Sequence, residues 1–149
     1  MKFNCEDNQT VELKIHNYQF PDSLDKEYDG NWLNIYLKVE SKVGHWQTID
    51  PSLLTWDITE LIKWFRRLVY IDKTITKEKE FIEPNISFYL LNELTDQEKI
   101  IKIKFDLESR PKSAKEEIEY SVIFIADKTE LERIAYELET ELQKFPERN

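Results

Sequence analysis

Cysteine and glycine are nearly absent from this chain of 149 residues, which has one cysteine and two glycines. A single cysteine, Cys5, cannot form an intrachain disulfide or a thiolate metal cluster, so the composition fits a reducing compartment. Phosphate-binding loops of the Rossmann and P-loop kinds need glycines where backbone amides approach the anion closely. Gly30 and Gly44 lie apart and belong to neither motif, which excludes both nucleotide-binding classes as sequence motifs.

Long apolar runs are also missing. The longest uninterrupted run, residues 122–126, is far shorter than the roughly 20 residues that a membrane-spanning helix needs. The first residues turn polar at once, whereas a secretory signal continues into an apolar stretch of about 7–15 residues. We therefore predict a cytoplasmic protein that does not associate with membranes.

Basic residues are in the minority, with 21 Lys and Arg against 30 Asp and Glu and a net charge of −9. Binding to a nucleic-acid backbone depends on clustered positive charge, so we predict no direct contact with nucleic acid. A surplus of acidic residues serves solubility in many proteins, and in others it forms a surface that is complementary to a basic protein. The charge alone leaves both interpretations open.

Recognisable catalytic motifs are lacking. The two histidines, His16 and His45, are far apart in the sequence and belong to no metal-binding motif. Cys5 has no basic neighbour that would activate it as a nucleophile, and no serine lies in a nucleophile-elbow motif. We predict that the chain is not an enzyme and that it uses no metal and no cofactor.

Hydrophobic periodicity indicates a single α+β domain over residues 1–149. Apolar residues alternate with polar ones along about six segments, and their short connections predict a predominantly antiparallel sheet. A return strand is predicted from Trp46 to Ile49, and Pro51 is predicted to end it, because proline cannot donate to a ladder hydrogen bond. The last two strands are predicted to include residues 101–107 and 118–124.

Two stretches, about 56–70 and 128–145, have the 3.6-residue spacing of amphipathic helices. Thr55 or Asp57 can cap the first helix, and Asp127 with Glu130 has the spacing of a capping box at the second. We expect both helices to pack on one face of the sheet.

The tryptophans allow two interpretations. Trp46, Trp56 and Trp64 can line a ligand groove or pack in the core, and packing is the more frequent role of such residues. Trp64, however, lies off the apolar stripe of its helix and is followed by Arg66 and Arg67. We therefore expect Trp64 to be exposed on a second contact surface.

Carboxylates are concentrated in two candidate partner-binding clusters. The residues are Asp22, Asp25, Glu27 and Asp29 in the first cluster and Glu116, Glu117 and Glu119 in the second. The spacing of the first cluster does not match that of a calcium-binding EF-hand loop. Solvated loop charge would also account for both clusters.

Four segments in order along the chain resemble the WapI-type immunity proteins. They are EYDGNWL at 27–33, GHW at 44–46, LTWDITEL at 54–61 and FIEPNISF at 81–88, within a similar region of roughly residues 18–88. Proteins of this family are small bacterial cytoplasmic antidotes encoded beside wall-associated polymorphic toxins. The resemblance implies that the chain binds a cognate toxin domain and protects the producing cell.

Many toxins of that system act on nucleic acids, so the resemblance implies a nuclease-like partner that is basic where it binds phosphate. An acidic inhibitor would then occupy that surface as a phosphate mimic. Two alternatives stay open: a small-molecule-binding protein or enzyme with a carboxylate-lined pocket, and a subunit of an intracellular complex.

Overall fold

The computed structural model describes residues 1–25 and 27–149, and its elements repeat an order of four strands and one helix. The first set is β1 (Lys2–Asn4), β2 (Thr10–Tyr18), β3 (Trp32–Ser41), β4 (Gly44–Leu54) and α1 (Thr55–Val69). The second set is β5 (Glu78–Lys79), β6 (Ile86–Leu90), β7 (Lys99–Phe105), β8 (Tyr120–Ala126) and α2 (Lys128–Gln143). Both helices therefore lie where the periodicity predicts them.

Each set of four strands forms its own antiparallel sheet. The strand orders are β1-β2-β3-β4 and β5-β6-β7-β8, so every strand pairs with its neighbours in sequence. The prediction of an antiparallel α+β fold with two helices is confirmed. The strands of the described residues number eight in two sheets, whereas the sequence indicated about six in one sheet.

The inner faces of both sheets and the apolar stripes of both helices meet in one hydrophobic cluster. Phe3 of β1 lies at its centre, with ring centroids 6.3 Å from Phe65 of α1, 5.8 Å from Phe88 of β6 and 5.3 Å from Phe124 of β8. The two helices also lie against each other. The helices contact β2 and β4 of the first sheet and β8 of the second, so the expected packing of helices on antiparallel strands is confirmed and involves two sheets rather than one.

Strand β4 continues through Pro51 to Leu54, beyond the end that the sequence predicts. The register of the β3–β4 ladder shifts between Leu33 and Asn34, and Pro51 pairs with Asn34 at this irregularity. β4 is also an edge strand. Edge strands and bulges both tolerate a residue that has no amide donor, which explains why the strand does not end there.

The prediction that Trp64 is exposed is wrong, because only 4% of its surface is accessible. Its ring packs against Phe65 and Phe88, with centroid distances of 5.3 and 6.4 Å. Its Nε1 donates to the carbonyl of Thr76 at 3.0 Å, so the chain that follows α1 returns past this side chain. Trp64 is a core residue and marks no second contact surface.

The connection between β7 and β8 is longer than the alternating pattern indicates. β7 ends at Phe105, and Leu107 begins a 3₁₀ turn with a φ of 48° and 44% exposure. β8 begins only at Tyr120, which leaves Ile118 outside the strand and exposed. Residues 106–119, called the β7–β8 connection below, are therefore a surface segment that carries the second acidic cluster.

Candidate functional site

The loop between β2 and β3, residues 19–31, carries the first acidic cluster. The carboxylates of Asp22, Glu27 and Asp29 are exposed. Within residues 1–25 and 27–149, none of them lies in an ion pair. Among the described residues, these three side chains therefore have no basic partner.

Asp25 has a different role from the other three acids of its cluster. Its carboxylate accepts hydrogen bonds from the backbone amides of Glu27 at 2.7 Å and Asp29 at 3.3 Å. Its own amide donates to the Ser23 hydroxyl at 3.1 Å. Such side-chain bonds to nearby amides stabilise a turn. Asp25 thus shapes the loop that presents the other three carboxylates.

Gly30 allows the loop to close on itself. A Cβ atom at this position would lie 1.8 Å from the backbone oxygen of Asp25, well inside any van der Waals contact. The two backbone segments approach so closely that only glycine fits without a shift of the chain. The glycine in the EYDGNWL segment is therefore required by the loop geometry.

Asn31 fixes the end of the loop, and its side chain is fully buried. Its Nδ2 donates to the carbonyls of Glu27 at 2.6 Å and Arg148 at 3.1 Å. Its Oδ1 accepts from the hydroxyl of Thr55 at 2.9 Å and from the amide of Arg148 at 2.8 Å. One side chain therefore ties the loop to the start of α1 and to the chain after α2.

Residues 146–148, called the clasp below, hold the beginning of the same loop. The Arg148 guanidinium lies 3.7 Å from the centroid of the Tyr18 ring and donates to the carbonyls of Phe20 at 3.1 Å and Pro21 at 2.9 Å. The Tyr18 hydroxyl donates to the carbonyl of Pro146 at 2.5 Å. Both ends of the loop are thus fastened to other parts of the protein.

Apolar side chains are exposed between the free carboxylates. Phe20 is 44% exposed, Leu24 93% and Tyr28 53%, and the Tyr28 ring makes an edge contact with Trp56 at 5.5 Å. Exposed aromatic and aliphatic groups beside charges are typical of surfaces that bind other proteins. Charge clustering alone does not indicate these residues, although apolar residues within an acidic, turn-forming stretch are a visible signal.

The second acidic cluster is largely neutralised by nearby bases. Glu119 accepts from Lys102 Nζ at 3.0 Å, and this hydrogen bond lowers the pKa of its carboxyl group. A carboxylate oxygen of Glu116 lies 4.0 Å from a guanidinium nitrogen of Arg110. Glu117 is exposed and takes part in no ion pair within the described chain. This cluster therefore presents less free charge than the β2–β3 loop.

The two clusters lie near opposite ends of β4. Trp32, which follows the β2–β3 loop, pairs with Leu54, while Trp46 Nε1 donates to the carbonyl of Ser109 in the β7–β8 connection at 2.8 Å. Trp46 and Leu54 are eight positions apart, and at ~3.3 Å per strand residue this separation is about 26 Å. The structure does not bring the two clusters together into one compact site.

The described residues contain no group of three or more His, Cys, Asp or Glu side chains arranged to hold a metal ion. Burial raises the pKa of the Cys5 thiol to about 12, so this thiol is almost entirely protonated at neutral pH. No helix in the described part of the chain is long and apolar enough to cross a membrane. The β2–β3 loop is therefore the strongest candidate site, and its chemistry is that of a protein-binding surface.

The fold and this loop describe a small α+β protein with a preformed acidic and apolar surface. The profile of the Immunity protein WapI-like family matches residues 2–146, and the chain belongs to this family. The match confirms the resemblance found in the first half of the sequence and extends it through α2. No curated protein and no solved structure matches the chain.

Proposed function

We propose that this chain is an immunity protein that binds and neutralises a cognate toxin domain, and that the β2–β3 loop is its main contact surface. Membership of the immunity-protein family supports the general function. The choice of surface rests on the loop itself, where three carboxylates that form no ion pair with any described residue alternate with three exposed apolar side chains. These residues are Phe20, Asp22, Leu24, Glu27, Tyr28 and Asp29.

The two kinds of side chain would contribute differently to binding. Unpaired surface carboxylates produce a field that reaches roughly 8–10 Å at physiological salt and speeds encounter with a basic surface. Apolar anchors such as Phe20, Leu24 and Tyr28 lose water contact in the complex and supply most of the affinity. Attachment of both loop ends, through Asn31 and Arg148, lowers the entropy cost of ordering the loop on binding.

The chemistry of the loop suggests a partner that is basic where it makes contact. A toxin domain that binds nucleic acid has such a surface, and the carboxylates would occupy the positions of phosphate groups. We infer that the protein acts in the cytoplasm, where it would meet a toxin that enters the cell or is made there. The inhibition would be steric and would need neither a cofactor nor a metal.

Association kinetics with the toxin domain encoded beside this chain would test the loop directly. The variant Asp22→Lys, Glu27→Lys, Asp29→Lys should slow association at low salt by about tenfold or more, because electrostatic steering raises association rates ~10–1,000-fold. The matched control is Asp96→Lys, Glu98→Lys, Glu132→Lys, which makes the same change in net charge at three exposed acids on the β6–β7 turn and α2. Equal slowing in both variants would assign the steering to net charge and overturn the role of the loop.

The apolar anchors need a separate measurement. Leu24→Ala should accelerate dissociation with little change in the association rate, because truncation of an anchor acts mainly after encounter. Tyr136→Ala is the matched control, since Tyr136 is 68% exposed on α2, away from the loop. Unchanged dissociation of the Leu24→Ala variant would show that the loop is not in the contact.

A further inference from the structure

A groove separates the edge strand β4 from the β7–β8 connection. It is lined by side chains of both segments, including Trp46, Thr48, Asp50, Leu107, Glu108 and Pro111. The hydrogen bond from Trp46 Nε1 to the carbonyl of Ser109 joins its two walls. We call this feature the β4 groove, and it lies away from the β2–β3 loop.

The groove has apolar surface that other side chains leave exposed. Ile49 is 50% exposed and Leu107 is 44% exposed, and both line the groove. Leu107 lies on the wall formed by the β7–β8 connection. Ile49 lies on β4, where its side chain points to the other face of the strand from Thr48 and Asp50, so it borders the groove at the exposed edge of the strand. Contacts of this kind favour an apolar or amphipathic segment as the occupant.

Two carboxylates in the groove repel each other. Burial raises the pKa of Asp50, and the negative charge of Glu108 raises it further. Glu108 accepts one long hydrogen bond, from Asn85 Nδ2 at 3.4 Å. Within the described chain neither carboxylate takes part in an ion pair. A cationic group between them would relieve this repulsion.

A threonine in the same groove also lacks a partner. The Thr48 hydroxyl oxygen is shielded from solvent and has no hydrogen-bond partner among the described residues. A buried hydroxyl without a partner destabilises the free protein, and it gains a hydrogen bond if a ligand supplies one. This observation is independent of the two carboxylates, and Thr48 lies two positions from Asp50 on the same strand.

The basic residues of the groove do not neutralise the pair. Arg110 lies 3.7 Å from a carboxylate oxygen of Asp106 and 4.0 Å from one of Glu116, so its guanidinium is directed to those acids. Lys112 is exposed, and no ion pair of the described chain includes it. The local chemistry is thus an acidic pair and an unpaired hydroxyl, with exposed apolar groups at the border of the groove.

We propose that the β4 groove is a second contact site, which receives an extended segment of a partner protein through one arginine or lysine side chain. The cationic group would lie between Asp50 and Glu108, and a polar group of the same segment would pair with Thr48. Apolar neighbours of the basic residue would pack on Ile49 and Leu107. The identification of the partner as the toxin rests on the proposed function. The inference that the groove binds a cationic side chain does not depend on that function.

The groove can be tested on the free protein with acetyl-arginine amide as the probe. Nuclear magnetic resonance titration should show saturable shifts of the backbone amides of Thr48, Asp50 and Glu108. Acetyl-citrulline amide, which has nearly the same shape without the charge, should give no saturable shifts. The Asp50→Asn, Glu108→Gln variant should abolish the arginine response. No response to arginine, or a response confined to the β2–β3 loop, would overturn the proposal.

The variant Thr48→Val separates a binding role from a structural one. Removal of an unpaired buried hydroxyl should raise the melting temperature, yet it should weaken binding of the toxin domain. Thr76→Val is the control, because the Thr76 hydroxyl donates to the carbonyl of Glu78 at 2.7 Å and its loss should lower the melting temperature. A lower melting temperature for Thr48→Val would show that its hydroxyl is already used.

With the toxin domain, Asp50→Asn, Glu108→Gln should lower the affinity by about tenfold or more, mainly through faster dissociation. If this variant binds the toxin domain with unchanged affinity while the unmodified protein responds to acetyl-arginine amide, the groove binds a different basic partner. That result would overturn the role of the groove as a toxin contact. If the toxin domain does not bind at all, the proposed function fails, and the arginine titration still decides whether the groove binds a cationic side chain.

Discussion

Replacement of Asn31 by alanine would remove the side chain that joins the β2–β3 loop to the rest of the protein. Within the described residues, four hydrogen bonds of this amide end on Glu27, Thr55 and Arg148, which belong to three different segments. Asn31 and Thr55 are both fully or almost fully buried, so water cannot replace the lost partners without rearrangement. The loop, the start of α1 and the clasp should loosen together.

The expected loss follows from the four hydrogen bonds. At a net contribution of ~1 kcal/mol each, the free energy of unfolding should fall by about 4 kcal/mol. For a protein of this size each 1 kcal/mol shifts the melting temperature by ~2–4 °C, so the shift should be roughly 8–16 °C. Amide hydrogen exchange should show lost protection in the loop and the clasp before it shows loss in the strands of the core.

Asn34→Ala, three positions further along the chain on β3, is the matched control. Asn34 donates one exposed hydrogen bond to Asn17 Oδ1 at 2.8 Å, so its loss should cost no more than ~1 kcal/mol. Chemical denaturation of both variants, followed by circular dichroism, gives the comparison. If Asn31→Ala is no less stable than Asn34→Ala, the hydrogen-bond network of Asn31 does not hold the loop.

Three further predictions follow from single residues. Gly30→Ala should shift the loop and lower the stability of the protein, because the added Cβ would lie 1.8 Å from the backbone oxygen of Asp25. Unchanged hydrogen exchange of the loop amides would contradict this prediction. Cys5 is partly buried, and burial raises the pKa of its thiol to about 12. An aromatic disulfide reagent at neutral pH should therefore label it much more slowly in the native protein than after unfolding, and equal labelling rates would contradict this. Hydrogen bonds from the Thr74 hydroxyl and then from a guanidinium lower the pKa of Asp72 to about 2. Because this pKa is lowered in the folded state, the carboxylate should stabilise the protein above about pH 4 and lose this effect as the pH falls towards 2. The Asp72→Asn variant should therefore be less stable than the parent at neutral pH but not near pH 2. A difference in free energy of unfolding that stays constant over this pH range, measured by chemical denaturation, would contradict the prediction.

Much of the secondary structure follows from periodicity alone. Both helices could be predicted because an apolar stripe of 3.6-residue spacing has no other stable arrangement in water. The cap of the second helix could also be predicted, since Asp127 accepts from the amide of Glu130 at 2.8 Å. Asp57 instead lies within the first turn of α1 and accepts from the amide of Leu54 at 2.9 Å.

The division into two sheets could not be read from the same patterns. Alternation shows which face of a strand is buried, but it does not show which strands share a ladder or where a sheet ends. The burial of Trp64 was missed for a related reason, because its cover comes from the chain around Thr76. Helix periodicity describes a helix packed on one side and cannot reveal a segment that returns along the other.

The candidate site was only partly visible in the sequence. The acids of the β2–β3 loop could be found as a cluster, but composition could not separate Asp25, which bonds to its own backbone, from its free neighbours. The contacts that fix the loop involve Asn31 and Arg148, which are 117 positions apart. Such long-range contacts are determined by the tertiary fold, and no local sequence pattern predicts them.

Rescue of growth is the most direct test of toxin neutralisation. The toxin domain encoded beside this chain would be expressed in a bacterium that lacks the system, alone and together with the chain. Toxin alone should stop growth, the chain should restore it, and the variant Asp22→Lys, Glu27→Lys, Asp29→Lys should restore it less well at equal protein level. Failure of the folded, expressed chain to restore growth would contradict the proposal that it is the antidote to that toxin.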